Sequence, residues 1–240
     1  MTAMYKIIFA TGNEGKMKEI REILDGLTFL GEKVQILSMK EAGIDIDIIE
    51  DGTTFEENAM IKARAVAGAA KEAIVLADDS GLVIDYLNGE PGIYSARYLG
   101  KDTSYRVKNV NLVQRLEGVP DEKRSARFVC AIAAVLPDGR ELSTRGTIEG
   151  RIGYEEKGLN GFGFDPIFYV PEIGKYTAEL SDEDKNRISH RGKALRAMRE
   201  ELEKELEKKE IKEGLIKACD VIDLIIAILR GSKNLKDAKA

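Results

Sequence analysis

Over its first eighty residues the chain alternates between two hydrophobic periods, and this alternation limits the folds open to it. Lys6 to Ala10 is a short apolar run that breaks at Thr11-Gly12-Asn13, after which Met17, Ile20, Ile23 and Leu24 recur at helical spacing. Val34 to Ser38 suggests a second strand. Thr54-Phe55-Glu56-Glu57 reads as a capping box that opens an alanine-rich helix running to about Lys71. Ile74 to Ala77 is then a buried-strand run, expected to end at Asp78-Asp79-Ser80-Gly81. Strands interleaved with helices favour an α/β sheet covered by helices.

From Arg127 the pattern changes. FVCAIAAVL, the turn Pro137-Asp138-Gly139 and the stretch Glu141 to Ile152 read as a long hairpin, so the sheet should be mixed. Gly158 to Gly163 reads as a glycine-rich loop and Ile167 to Val170 as a short strand. Lys193 to about Lys209 reads as a charged helix with Leu195, Met198, Leu202 and Leu206 on one stripe. A last helix, Ile211 to Leu229, is apolar nearly all round and needs a cover, either this chain's own body or a twin subunit, or else it is a docking element for another protein. We expect one domain over residues 1–200 and a C-terminal helical extension over 201–240.

The chain has 240 residues, 43% of them apolar and 33% charged, which suits a globular core and excludes a disordered chain. A net charge of -5 argues against general attraction to a nucleic-acid polymer, although a local basic pocket could still hold phosphates. Cys130 and Cys219 are far apart with no histidine near either, which disfavours a disulfide framework or a cysteine-rich zinc site and points to a reducing, cytoplasmic compartment. The longest apolar stretch, Ile216 to Leu229, is interrupted by Lys217, Asp220 and Asp223 and falls short of the roughly 18 to 20 residues that span a bilayer, so no membrane anchor is expected.

Chemistry concentrates where two of these strands give way to polar residues. In Thr11 to Lys16 the glycines let backbone N–H groups approach an anion, the following helix offers its positive end, and Lys16 adds a full charge. This is a phosphate site in kind, but it lacks the spacing of a Walker A loop and Met17 stands where a magnesium-binding hydroxyl would be needed. Asp78 and Asp79 in extended chain point to opposite faces, so one can be structural while the other faces a cleft. Glu50 and Asp51 add hard oxygen ligands of the kind Mg²⁺ accepts. The one histidine, His190, has no metal-ligand companion and suits hydrogen bonding equally well to a ligand or to a helix end. The aromatics of Phe162-Gly163-Phe164-Asp165-Pro166 could stack on a base or plug a core.

Six separated segments, TGNEGK, TFEENAMIKA, ADDSGL, PGIYSARY, GFGFDPIF and DKNRISHRGKAL, occur together and in order. With them the chain closely resembles the inosine triphosphate pyrophosphatase family, from about Lys6 to Met198. The resemblance implies a mixed, twisted sheet with flanking helices, two lobes around a deep cleft and a homodimer. It also implies Mg²⁺-dependent hydrolysis of XTP, ITP and dITP to the monophosphate and pyrophosphate. By it, Thr11, Gly12, Asn13, Glu14, Gly15 and Lys16 cradle the triphosphate. Glu50 and Asp79 hold the metal, Asp79 is also the proton acceptor, and Ser80 contacts substrate. Phe162 stacks on the purine in a pocket lined by Gly163, Phe164 and Asp165, and Lys185, His190 and Arg191 complete the base and phosphate contacts.

Donors aimed at the purine 6-keto oxygen would reject adenine, because its amino group would leave buried donors unpaired. Two other readings stay open at this point, a Maf-like pyrophosphatase acting on pyrimidine or modified nucleotides and a nucleotide-binding module without catalysis. The resemblance says nothing about the chain beyond Lys209.

Overall fold

The structure is a computed structural model, and it describes residues 6–29 and 32–208. The expected apolar helix at 211–229 and Cys219 lie outside the described residues. The chain begins with β1 (Lys6–Phe9) and α1 (Glu14–Leu24), then a small two-stranded pair, β2 (Thr28–Phe29) with β3 (Glu32–Lys33), and β4 (Gln35–Ser38). Next come α2 (Phe55–Ala69), β5 (Ile74–Ile84), α3 (Tyr105–Arg115), β6 (Ser125–Val135) and β7 (Glu141–Ile152). β8 (Phe168–Val170), β9 (Lys175–Tyr176), α4 (Asp182–Ile188) and a last helix, α5, over 190–208 complete the described chain.

One seven-stranded sheet, ordered β4-β1-β5-β6-β7-β8-β9, organises these elements. β1 runs parallel to β4 and β5, and every pairing from β5 onward is antiparallel, so the sheet is mixed as expected. The helix starts follow from local chemistry. Asn13 caps α1 by accepting from the Lys16 N–H at 3.0 Å, and Thr54 and Glu57 form both halves of the capping box on α2. Helix α1 buries Met17, Ile20 and Leu24, and α2 buries Phe55, Ala59, Ala63 and Val66.

Strand alternation divides the core. On one face, Ile7, Phe9, Leu76, Cys130 and Ile132 pack against α1 and against the α5 stripe of Leu195, Met198, Leu202 and Leu206. On the other, Ile8, Val75, Ala77, Val129 and Ala131 pack against α2. A separate cluster covers the far ends of β5, β6 and β7, where Leu82, Ile84, Phe128 and Ile148, with Phe168 of β8, meet Leu112 of α3 and Leu116 just after it. The two lobes therefore share their three longest strands.

Two expectations are corrected. β5 does not end at Asp78: it runs unbroken through Asp-Asp-Ser-Gly to Ile84, because β6 keeps pairing with it from Val75↔Val135 to Ile84↔Ala126. Only the parallel edge stops, at Leu76 opposite Phe9. The last helix starts at residue 190, earlier than Lys193, with the Ser189 hydroxyl accepting from the Gly192 N–H at 3.0 Å as its cap. His190 and Arg191 thereby stand inside its first turn. Smaller shifts are that α2 stops at Ala69 and that Ile167 closes a 3₁₀ turn before β8.

Arginines finish three of the helices. Arg196 donates to the Asn186 and Arg187 carbonyls at the end of α4, and Arg199 to the Ile23 and Asp25 carbonyls at the end of α1. Arg124, wholly buried, donates to the carbonyls of Leu116, Ile152 and Gly153 and so ties α3 to the end of β7. Gly146 on β7 lets α5 approach, since a Cβ there would run into the His190 carbonyl.

Candidate active site

The candidate site lies where the two lobes meet on β5, and its two adjacent carboxylates occupy opposite electrostatic environments. Asp78 faces α1 and α5. Lys16 Nζ donates to both of its oxygens at 2.9 Å, Ser80 Oγ donates to Oδ2 at 2.8 Å, and Arg191 Nε lies 3.6 Å from Oδ2. Burial pushes the Asp78 pKa up, but Lys16, Arg191 and Lys62 together outweigh it and hold the carboxyl well below the usual carboxylate range. Asp78 is thus an anion around which the loop over residues 11–16 is anchored.

Asp79 faces α2. It accepts from Asn58 Nδ2 at 3.2 Å and lies 3.7 Å from Lys62 Nζ. Here burial prevails: helped by the negative charges of Glu50 and Asp78, it pushes the carboxyl up to about 6 against the pull of Lys62 and Asn58. Lys62 Nζ also donates to Glu50 Oε2 at 2.8 Å, so one ammonium group stands between the two carboxylates assigned to a metal. Burial lowers the Lys62 pKa, yet Asp78, Asp79 and Glu50 raise it overall.

The remaining expected residues join the Asp78 side. Arg191 Nη1 pairs with Glu19 Oε2 at 2.7 Å, Lys185 Nζ lies 3.9 Å from Glu19 Oε1, and Lys185 pairs with Asp165 Oδ2 at 2.7 Å. Burial opposes the Arg191 charge, but Asp78 and Glu19 reinforce it. Asp165 Oδ2 also accepts from the Phe162 N–H at 2.8 Å. Phe162, 42% exposed, has Lys185 Nζ 4.6 Å and Arg191 Cζ 5.4 Å from its ring centre. A line of alternating charges therefore joins the loop over residues 11–16 to the aromatic loop.

His190 is buried and stacked on Phe128 at 4.9 Å, with its Nδ1 unpartnered among the described residues. Burial, with Arg191 and Lys185 adding to it, drives its pKa well below the usual histidine value, so the imidazole is neutral. Phe164 packs into the α3 lobe and Asp165 is spent on its own loop, with Thr177 Oγ1 donating to its Oδ1 at 2.9 Å. Both side chains are therefore held within the protein. Residues 12–15 are exposed, with Thr11 half-buried at their base.

Sequence reasoning passed over Glu19, Asn58 and Lys62. Each is a polar residue on the buried side of a helix: Glu19 lies one turn after Lys16, and Lys62 one turn after Asn58, which interrupts the apolar face of Phe55, Ala59 and Val66. A charge at a core-facing helical position was the available clue. A separate cavity of about 510 Å³ lies beside the N-terminus of α2, lined by Phe55, Val83, Pro91, Ile93, Tyr94 and Arg145, and contains neither carboxylate.

Among the described residues no three histidine, cysteine or acidic side chains gather into a metal cage, and no helix is long and apolar enough to cross a membrane. The donor set suits Mg²⁺, which binds through one or two carboxylates and leaves its other positions to water and phosphate. The Lys62 ammonium held by Glu50 beside Asp79 marks the same place as one that seeks positive charge.

A model of the Ham1 family matches residues 7–201. The chain belongs to the Ham1 family. A dITP/XTP pyrophosphatase of Caldanaerobacter subterraneus subsp. tengcongensis is 50% identical over 204 residues, covering 85% of this chain and 99% of that protein. One from Clostridium perfringens is 46% identical, covering 83% and 98%. Among solved structures, the Ham1 protein of Staphylococcus aureus superposes with a TM-score of 0.74 at 41% identity, covering 83% of this chain and 99% of its own. The Ham1 match spans the stretch that carries the six motifs, and it leaves the last residues of this chain unmatched.

Proposed function

We propose that this Ham1 chain is a Mg²⁺-dependent pyrophosphohydrolase that cleaves XTP, ITP and dITP to the monophosphate and pyrophosphate. The observation that carries this reading is the division of labour across β5, with an ion-paired Asp78 behind the phosphate loop and an Asp79 of raised pKa beside Glu50. Lys16, Lys62, Lys185 and Arg191 supply positive charge for the three phosphates of the substrate, and the N–H groups of residues 12–15 add the end of α1.

Glu50 and Asp79 would hold Mg²⁺, which when bound neutralises phosphate charge and orients the triphosphate. The Asp79 carboxylate accepts the proton of a water that attacks phosphorus as the bond to the pyrophosphate oxygen breaks. The Phe162 ring stacks on the purine while Ser80 contacts substrate. Arg191, the neutral His190 and loop N–H groups meet the 6-keto oxygen, so the adenine amino group is refused.

The test is to incubate the protein with Mg²⁺ and separately with ITP, dITP, XTP, GTP, ATP and UTP, assaying pyrophosphate and phosphate as distinct products. Pyrophosphate from the first three, with little from the others and none after chelation of the metal, is the expected result. Preference for UTP or release of phosphate alone would overturn the reading.

The same reading takes the enzyme to be a cytoplasmic homodimer. It takes residues 201–240 as a helical extension that packs on the body or on the twin subunit. Deleting residues 211–240 should lower the Tm or the oligomeric mass, and a truncated chain unchanged in both would refute that packing.

A further inference from the structure

Asn109 of α3 is 1% exposed and touches the aromatic loop that the proposed function assigns to the purine. Its Nδ2 donates to the Gly163 carbonyl at 3.2 Å and to Glu156 Oε1 at 2.8 Å. Both neighbours are pure acceptors, so the amide must turn its NH₂ toward them. That orientation leaves Oδ1 buried with no partner among the described residues.

A core residue that keeps an orphan acceptor works against stability, because a leucine of similar size would bury the same volume without an unsatisfied atom. Glu156 is exposed and Gly163 half-buried, so water can reach both acceptors once the amide is gone. The orphan atom is the consequence of a donor aimed at this loop. Conflicts of this kind between local stability and a fixed polar group fall at functional sites.

The surrounding geometry says what the donor fixes. Gly163 sits between Phe162 and Phe164 at φ +69°, a conformation open to glycine and strained for other residues. Phe164 is locked edge-on against Tyr105 of α3, with ring centres 5.2 Å apart. Asp165 holds the backbone N–H of Phe162 at 2.8 Å, and Asn109 takes the carbonyl one residue later. The Phe162 carbonyl accepts a longer bond from the Asp165 N–H at 3.4 Å, and its ring is met by two cations, so among the described residues the Asn109 bond to Gly163 is the one backbone tie of the Phe162–Gly163 pair that comes from outside the loop.

We infer that Asn109 is a positioning residue for base recognition: through the Gly163 carbonyl it sets where the Phe162 ring meets the purine. This rests on the Phe162 loop being the base site. It makes α3, which offers no group to the phosphates, a determinant of base affinity.

The experiment compares wild type with Asn109→Leu, which has no polar atom, and Asn109→Asp, which keeps the shape but loses the donor. Glu156→Gln serves as a control that retains the Gly163 bond. For each, KM and kcat are measured with ITP and ATP, along with inhibition by inorganic tripolyphosphate and the Tm. Both Asn109 variants should raise KM for ITP about threefold to tenfold, the span of one neutral hydrogen bond, with kcat within about twofold of wild type. Discrimination of ITP from ATP should narrow, tripolyphosphate inhibition should stay as in wild type, Glu156→Gln should keep its KM, and Asn109→Leu should melt no lower than wild type.

A merely structural residue would give the reverse pattern, with a lower Tm and tripolyphosphate inhibition weakened together with ITP binding. That result overturns the inference, as does an unchanged KM in both variants or failure of both to fold. Wild-type protein that distinguishes neither ITP from ATP nor either from tripolyphosphate would instead overturn the base-site reading, before any variant is made.

Discussion

Asp79→Asn is expected to abolish most turnover and, at the same time, to make the metal-free protein more stable at pH 8. Loss of a proton acceptor costs about 10²-fold to 10⁴-fold in rate, and here the substitution also removes a proposed metal ligand. The stability gain follows from the environment of the carboxyl. Burial pushes Asp79 up to about 6, while an unfolded chain would titrate near 3.8. Between those values the folded state holds the extra proton, so stability falls as pH rises through the window and the deficit persists above it. It amounts to at most about 3 kcal/mol, which a neutral amide of the same shape removes. Urea unfolding in chelator at pH 8 should show the variant above wild type, with the difference gone by pH 4. A variant no more stable at pH 8 would show that Lys62 and Asn58 already compensate the charge in full.

The neighbouring substitution, Asp78→Asn, should have the opposite effect. Asp78 is buried among Lys16 and Arg191, with Lys62 further off. Removing one partner from such a group leaves buried cations uncompensated, a loss of about 3 to 5 kcal/mol. Because its pKa is held down in the folded state, the stability Asp78 contributes is present above about pH 4 and is lost as pH falls below that. Lys16 would also lose the carboxylate that fixes its ammonium at 2.9 Å, so KM for triphosphates should rise even in protein that remains folded. Urea unfolding at pH 7 measures the first effect and steady-state kinetics the second. Two adjacent acids whose amide variants shifted stability in the same direction would refute the electrostatic division across β5.

The features readable from sequence were those fixed by near neighbours. The run Lys6 to Phe9 with its phosphate loop, the Thr54 capping box, the β6–β7 hairpin and the apolar stripe of α5 are each specified by residues within a few turns of one another. Asp-Asp-Ser-Gly looked like a strand end because two carboxylates and a glycine are turn chemistry, and only the distant β6 shows that the strand goes on. His190 looked like a residue before a helix because the capping role of Ser189 depends on the Gly192 N–H turning back to it. Glu19 and Lys62 meet their opposite charges on α5 and β5, outside their own helices. In each case the deciding contact lay far along the chain, so local propensity could not report it.

The sharing of β5, β6 and β7 by both lobes has a mechanical consequence. The backbone passes between the lobes three times within hydrogen-bonded strands there, and returns once more from β9 to α5 through residues 177–189, so the halves are joined mainly by sheet. Any narrowing of the gap between them has to be taken up as extra coil along three strands at once, a stiff and reversible deformation. An approach of one lobe to the other is therefore expected to appear as a change in the twist of the shared sheet, spread over β5, β6 and β7 and not concentrated at a single hinge.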